Sequence, residues 1–167
     1  MGPTRPKRQL ALDANLLFDL AADVDVAHDF RETFLRKGYV LRLAPTATQE
    51  LFNFHRHAAA QEKRALATKA LLNMQAWEIS PFDLIAVEHG ITASFSHRLI
   101  HKQLLPPEEF NDGLILAETA LAEIPILVTS DKHLLDIDET ALRLTFDEAD
   151  LFHAIPCHPR ALLHAVR

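Results

Sequence analysis

Apolar positions along this chain switch between two periods. Short runs rich in Leu, Ile and Val, QLALD (9–13), YVLRL (39–43) and PILVT (125–129), read as strands, the last of them buried on both faces. Between them apolar residues recur every three to four positions. This predicts helices at about 16–22, 25–37, 50–75, 81–101 and 108–123. Gly38 supplies a C-terminal stop, Ser80-Pro81 a start and Pro106-Pro107 a break. Further strands are expected at 76–79 and 141–146, and a short helix at 159–166. Thr46-Ala-Thr-Gln49 fits a capping box, which puts Glu50 in the first turn of its helix. Strands alternating with helices predict the α/β class, with a parallel sheet flanked by helices.

The 167 residues suit one domain, expected at 9–167 behind a flexible basic terminus, 1–8, that carries Arg5, Lys7 and Arg8. No apolar run approaches the roughly 18 residues of a membrane span, and the N-terminus lacks a secretory pattern, so a cytoplasmic location is expected. The single cysteine, Cys157, excludes an internal disulfide and has no zinc-site spacing around it. A formal charge of −6 argues against bulk attraction to nucleic acid, so any such contact has to be local.

Carboxylates fall where the elements end. Asp13 closes the first strand, at the edge where open α/β sheets place their ligands, and Asp131 follows the 125–129 strand in Thr129-Ser130-Asp131. Glu50 and Asp112 stand near the starts of two helices. Like charges gathered together raise one another's pKa, so such a cluster needs a cation, and an all-oxygen donor set selects Mg2+ or Mn2+ over Zn2+. Taken singly, each acid also reads as a helix cap or dipole partner. Asp112 is more telling, because it sits in FNDGLILAETALA beside Leu114, Ile115, Leu116, Ala117 and Leu121. A lone acid against such a face is costly without a partner.

Asp13 with Asn15 in LDANLL, Glu50 in TATQELF, Asp112 in NDGLILAETA and Asp131 in LVTSDKHLL resemble, in order and spacing, the four acidic motifs of PIN domains. The resemblance is closest to VapC-type toxins of toxin–antitoxin pairs and related toxin components. It implies a three-layer α/β/α sandwich around a central, mainly parallel sheet. It further implies a Mg2+- or Mn2+-dependent endoribonuclease, often a homodimer, with an antitoxin protein as a partner. Asp13 would be the central ligand, with Glu50, Asp112 and Asp131 around it. Asn15 would hold the Asp13 carboxylate in place, and Thr129 and Ser130 either do likewise or cap the following turn. Two departures stand out: Ala14 occupies a position often held by Ser or Thr, and His133 stands where a further acid often follows. Asp136 and Asp138 are the candidates to compensate.

Contact with RNA requires a local basic surface. His55, Arg56, His57, Lys63, Arg64 and Lys69 form one candidate, equally readable as a solvated helix face, and Arg98 and Lys102 with His97 and His101 form another. The two histidines are one turn apart but lack a third zinc ligand. Phe30, Phe34, Phe95 and Trp77 read as core or interface, and Phe52 and Phe54 could serve a dimer or an antitoxin helix. A haloacid-dehalogenase-type phosphatase would need Asp at position 15, where this chain has Asn, and the acid and lysine of a receiver domain are not evident. The remaining alternative is a non-catalytic PIN-like RNA- or protein-binding module.

Overall fold

The computed structural model describes residues 7–167, so Arg5 and most of the basic terminus lie outside the described residues. The elements run β1 (Gln9–Leu12), α1 (Ala14–Ala21), α2 (Asp25–Arg36), β2 (Val40–Leu43), α3 (Pro45–His57), α4 (Gln61–Asn73), β3 (Ile79–Pro81) and α5 (Ala86–His101). After a 3-10 turn at Pro107–Glu109 come α6 (Phe110–Leu121), β4 (Ile126–Val128), α7 (Lys132–Leu135), α8 (Glu139–Glu148), β5 (Ile155–Cys157) and α9 (Pro159–Val166). All pairings are parallel, and the sheet order is β3-β2-β1-β4-β5. Helices flank this five-stranded sheet, as the α/β expectation requires.

The order carries the functional consequence. The chain steps from β1 to β2 to β3 in one direction, crosses back through α5 and α6, and lays β4 on the other side of β1. The carboxyl ends of β1 and β4 therefore flank a topological switch point, the place where open α/β sheets open a crevice. The backbone N–H of Asp13 donates to the Val128 carbonyl at 3.1 Å, which ties the two strand ends together.

Leu10, Leu12, Leu41, Leu43, Leu127 and Val128 bury the strands, so near-continuous apolar runs form the sheet interior. Phe30, Phe34 and Phe95 are core residues, as expected, and Trp77 packs partly buried against them, whereas Phe52 is 44 % exposed. The rings of Phe95 and Phe146 stack at 4.6 Å and join α5 to α8. Burial of a ring such as Phe146 stabilises by roughly 1.5–3 kcal/mol. Helices α5 and α6 approach closely because Gly113 has no side chain: a Cβ there would lie 2.1 Å from Ser96 Oγ. That hydroxyl donates to the Phe110 carbonyl at 2.6 Å.

Several expected elements differ. Residues 141–146, read as a strand, belong to helix α8. The alternation in ALRLTF masks a helical stripe of Leu142, Thr145 and Phe146, and Asp138 caps the helix by accepting from Ala141 N–H at 2.8 Å. The fifth strand is Ile155–Cys157, whose Pro156 is tolerated because β5 lies at the sheet edge. The long helix expected at 50–75 breaks at residues 58–60 into α3 and α4, and α5 begins at Ala86, five residues after Pro81. The Thr46–Gln49 capping box does not form. Pro45 already occupies the first helical turn, and the Thr46 N–H and hydroxyl donate to Glu118 at 3.0 and 2.6 Å. Glu50 consequently lies in the second turn of its helix, not the first.

Candidate active site

Asp13 is the residue at which β1 becomes α1. Its carboxylate is satisfied from two directions: Oδ1 accepts from Ala14 N–H at 2.7 Å and Oδ2 from the Thr129 hydroxyl at 2.9 Å. Thr129, fully buried just past β4, also accepts from Asn15 Nδ2 at 3.3 Å and from Asp131 N–H at 3.1 Å. One hydroxyl thus fixes Asp13, Asn15 and the Asp131 backbone against one another across the two strand ends. Asn15 adds a long 3.5 Å contact to Asp13 Oδ2. Asp131 caps α7 through Oδ1, which accepts from His133 N–H at 2.8 Å. For Asp13 and Asp131 the cap leaves part of each carboxylate available to a further partner.

The four acids meet. Asp13, Glu50, Asp112 and Asp131 line one open hollow of about 470 Å3 together with Asn15, and no Lys or Arg is among its lining residues. Sequence reasoning missed three polar members, Glu109, Asn53 and Asn111. Glu109, three residues before Asp112, shares its side of the chain, and that spacing was the available signal. Ligand atoms of Glu109, Asp112 and Asp131 lie within 4.8 Å of one another. Asp112 is only 7 % exposed, and its Oδ2 has no hydrogen-bond partner; Asn15 Oδ1 is orphaned in the same way.

Electrostatics follow from this crowding. Burial raises Asp13 from 3.8 to about 6, countered in part by the Thr129 and Ala14 hydrogen bonds and reinforced by the charge of Asp131. Glu50 rises to about 7, chiefly through burial and then through Asp13, Glu118 and Asp131. Asp112 is displaced furthest, to about 9, by burial first, then by the Glu109 carboxyl beside it and by the charges of Asp13 and Asp131. An all-oxygen, net-negative hollow with two orphaned buried acceptors fits a hard divalent cation.

No family model matches the sequence, and no curated protein matches it. Solved structures do share its architecture. VapBC2 from Rickettsia felis, bound to a DNA fragment from its promoter, matches with a TM-score of 0.60 at 15 % identity over 89 % of this chain and 98 % of that one. The fold is that of a PIN domain. FitAB bound to an IR36 DNA fragment matches with a TM-score of 0.51 at 15 % identity over 90 % and 94 % of the two chains. FitAcB from Neisseria gonorrhoeae matches with 0.52 at 14 % identity over 87 % and 96 %.

The remaining candidate residues distribute unevenly over this fold. Ser130 does not line the acidic hollow; it lines a different one, with Asp19 and His158. Asp138 is occupied as the α8 cap, and neither it nor Asp136 lines the acidic hollow, so neither compensates there for His133. Lys63 lies over the ring of Phe54, 5.7 Å from its centre, and Phe54 lines the acidic hollow, so this lysine stands at its rim. Arg56 and Arg64 are exposed on the neighbouring α3 and α4, while Lys69 is engaged by the Ala21 carbonyl and Asp23. Arg98 and Lys102 pair with Glu148 on α8, and Arg98 lines a separate hollow with Phe95 and Leu151. His97 packs against Phe110, and among the described residues the only His, Cys, Asp and Glu group placed to hold a metal is Glu109, Asp112 and Asp131. No described helix is long and apolar enough to cross a membrane.

Proposed function

We propose that this chain is a Mg2+- or Mn2+-dependent endoribonuclease, the toxin-type member of a two-component pair. The observation that carries this reading is the convergence of Asp13, Glu50, Asp112 and Asp131 on one hollow in which a buried carboxylate oxygen of Asp112 has no partner. Asp13, Asp112 and Asp131, with Glu50, would hold the cation. When bound, it supplies Lewis-acid stabilisation of charge developing on a phosphodiester and acidifies an attacking water.

The chain's own groups do the rest. Thr129 and Asn15 hold Asp13 in one rotamer, so the acids are preorganised rather than collected on binding. Glu50, held high in pKa by burial and by its acidic neighbours while the hollow is empty of a cation, would give up its proton when one binds. Lys63 at the rim, with Arg56 and Arg64 beyond it, would lead a phosphate backbone toward the hollow and offset the net charge locally. Two of the similar solved structures, VapBC2 and FitAB, are two-component assemblies bound to DNA, which supports an antitoxin-type protein partner here; a homodimer belongs to the same reading.

The test is cleavage of a mixed pool of structured and unstructured RNAs by purified protein in Mg2+, Mn2+ or EDTA, beside Asp112→Asn. Cutting that needs the divalent ion and that the variant lacks is the expected result. RNA bound but uncut under every condition would leave a non-catalytic binding module.

A further inference from the structure

Four acids satisfy the motif pattern, but the position two residues after Asp131 holds His133 rather than an acid. The structure brings another carboxylate to the same place. Glu109, at the end of the 3-10 turn that leads into α6, puts an oxygen within 4.8 Å of ligand oxygens of Asp112 and Asp131. His133 is connected to this group twice. Its Nε2 lies 3.5 Å from Glu109 Oε1, and its backbone N–H donates to Asp131 Oδ1 at 2.8 Å.

Proximity of acids alone would be unremarkable on a surface, but here an independent feature points to a ligand. Asp112 is 7 % exposed, its Oδ2 is unpartnered, and the hollow it lines has no Lys or Arg to neutralise it. A buried acceptor with no donor, facing two further carboxylates, is costly unless a cation fills the space.

We propose that Glu109 is a direct ligand of the divalent cation, recruited from outside the four-acid pattern to supply the carboxylate that His133 displaces, and that His133 holds Glu109 in place. This rests on the metal-dependent reading above. Glu109 then joins Asp112 and Asp131, whose oxygens it already approaches, beside Asp13 and Glu50 in the same hollow. Sites of this kind set their affinity by the number of anionic oxygens they present, so loss of one is read directly in binding.

The experiment is Mn2+ titration of the full chain by calorimetry, with free Mn2+ followed by electron paramagnetic resonance, for the wild type, Glu109→Gln, His133→Ala, Asp112→Asn and Asp138→Asn. Metal-free thermal unfolding checks that each variant is folded. Glu109→Gln should weaken Mn2+ binding at least about tenfold and His133→Ala by a smaller factor, the scale seen when a ligand or its supporting partner is removed. Asp138→Asn, which alters only the α8 cap, should bind as the wild type does. Wild-type affinity in both Glu109→Gln and His133→Ala, with binding lost in Asp112→Asn, would overturn the role of Glu109 while leaving the metal-dependent reading in place. Failure of the wild type to bind Mn2+ at all would overturn both. Should Glu109→Gln not fold, His133→Ala decides the matter alone.

Discussion

Replacing Asp13 by Asn separates a structural cap from a functional acid. Raising a buried carboxyl from 3.8 to about 6 costs the folded state about 3 kcal/mol once the pH exceeds both values. The sign follows from proton uptake: the folded chain holds the Asp13 proton more tightly than the unfolded chain. This contribution to stability is therefore fully present below pH 3.8 and is lost as the pH rises through about 6. Asn carries no charge and keeps an oxygen for Ala14 N–H, but it presents an amide to the Thr129 hydroxyl, whose acceptor side is already used by Asn15 and Asp131. That mismatch costs about 1 kcal/mol. Metal-free Asp13→Asn should therefore be about 2 kcal/mol more stable than the wild type at pH 8, with the gap closing toward pH 4. Urea denaturation in EDTA at several pH values reads this, and added Mg2+ or Mn2+ should stabilise the wild type alone. A metal-free variant less stable than the wild type at pH 8 would refute the reasoning and make Asp13 a cap whose charge the fold uses.

Glu118, 2 % exposed, anchors the start of α3 by accepting from both the N–H and the hydroxyl of Thr46. Glu118→Ala should cost about 2–4 kcal/mol, because it leaves two buried donors unpaired, and chemical denaturation measures it. Gly113→Ala should destabilise by about 1–3 kcal/mol through overpacking against α5. Ser96→Ala should not rescue it, since the Ser96 Cβ would itself lie 2.8 Å from the added methyl group; thermal unfolding of the single and double variants checks both statements.

Much of this protein is local, and so it was legible in the sequence. Strands β1, β2 and β4 are runs of apolar residues that no helical stripe explains, and α2 ends at a glycine with φ +86°. Asp13, Glu50, Asp112 and Asp131 stand at element ends or on helices near the sheet edge, so their order along the chain already grouped them. Residues 141–146 failed because an alternating hexapeptide fits two periods, and only packing against Phe95 selects the helix. The edge strand β5 was hidden by its brevity and its proline.

Other features exist only in three dimensions. Thr129 becomes the hub of Asp13, Asn15 and Asp131 because β4 crosses back to pair with β1, a long-range event that no local pattern encodes. Thr46, which reads as a cap, instead reaches Glu118, 72 residues away, because Pro45 had already begun the helix. Arg98 and Lys102 look like substrate cations in the sequence, and the folding of α8 against α5 brings Glu148 beside both of them. Glu109 joins the acids only because the turn after Pro106 aims it at Asp131, a residue from another element. The sequence by itself determined which side chains can carry charge and where the strands β1, β2 and β4 and most of the helices lie. Tertiary structure decided which charges share a dielectric, because Coulomb and desolvation energies depend on distance and burial, and those are set by chain crossings far apart in sequence.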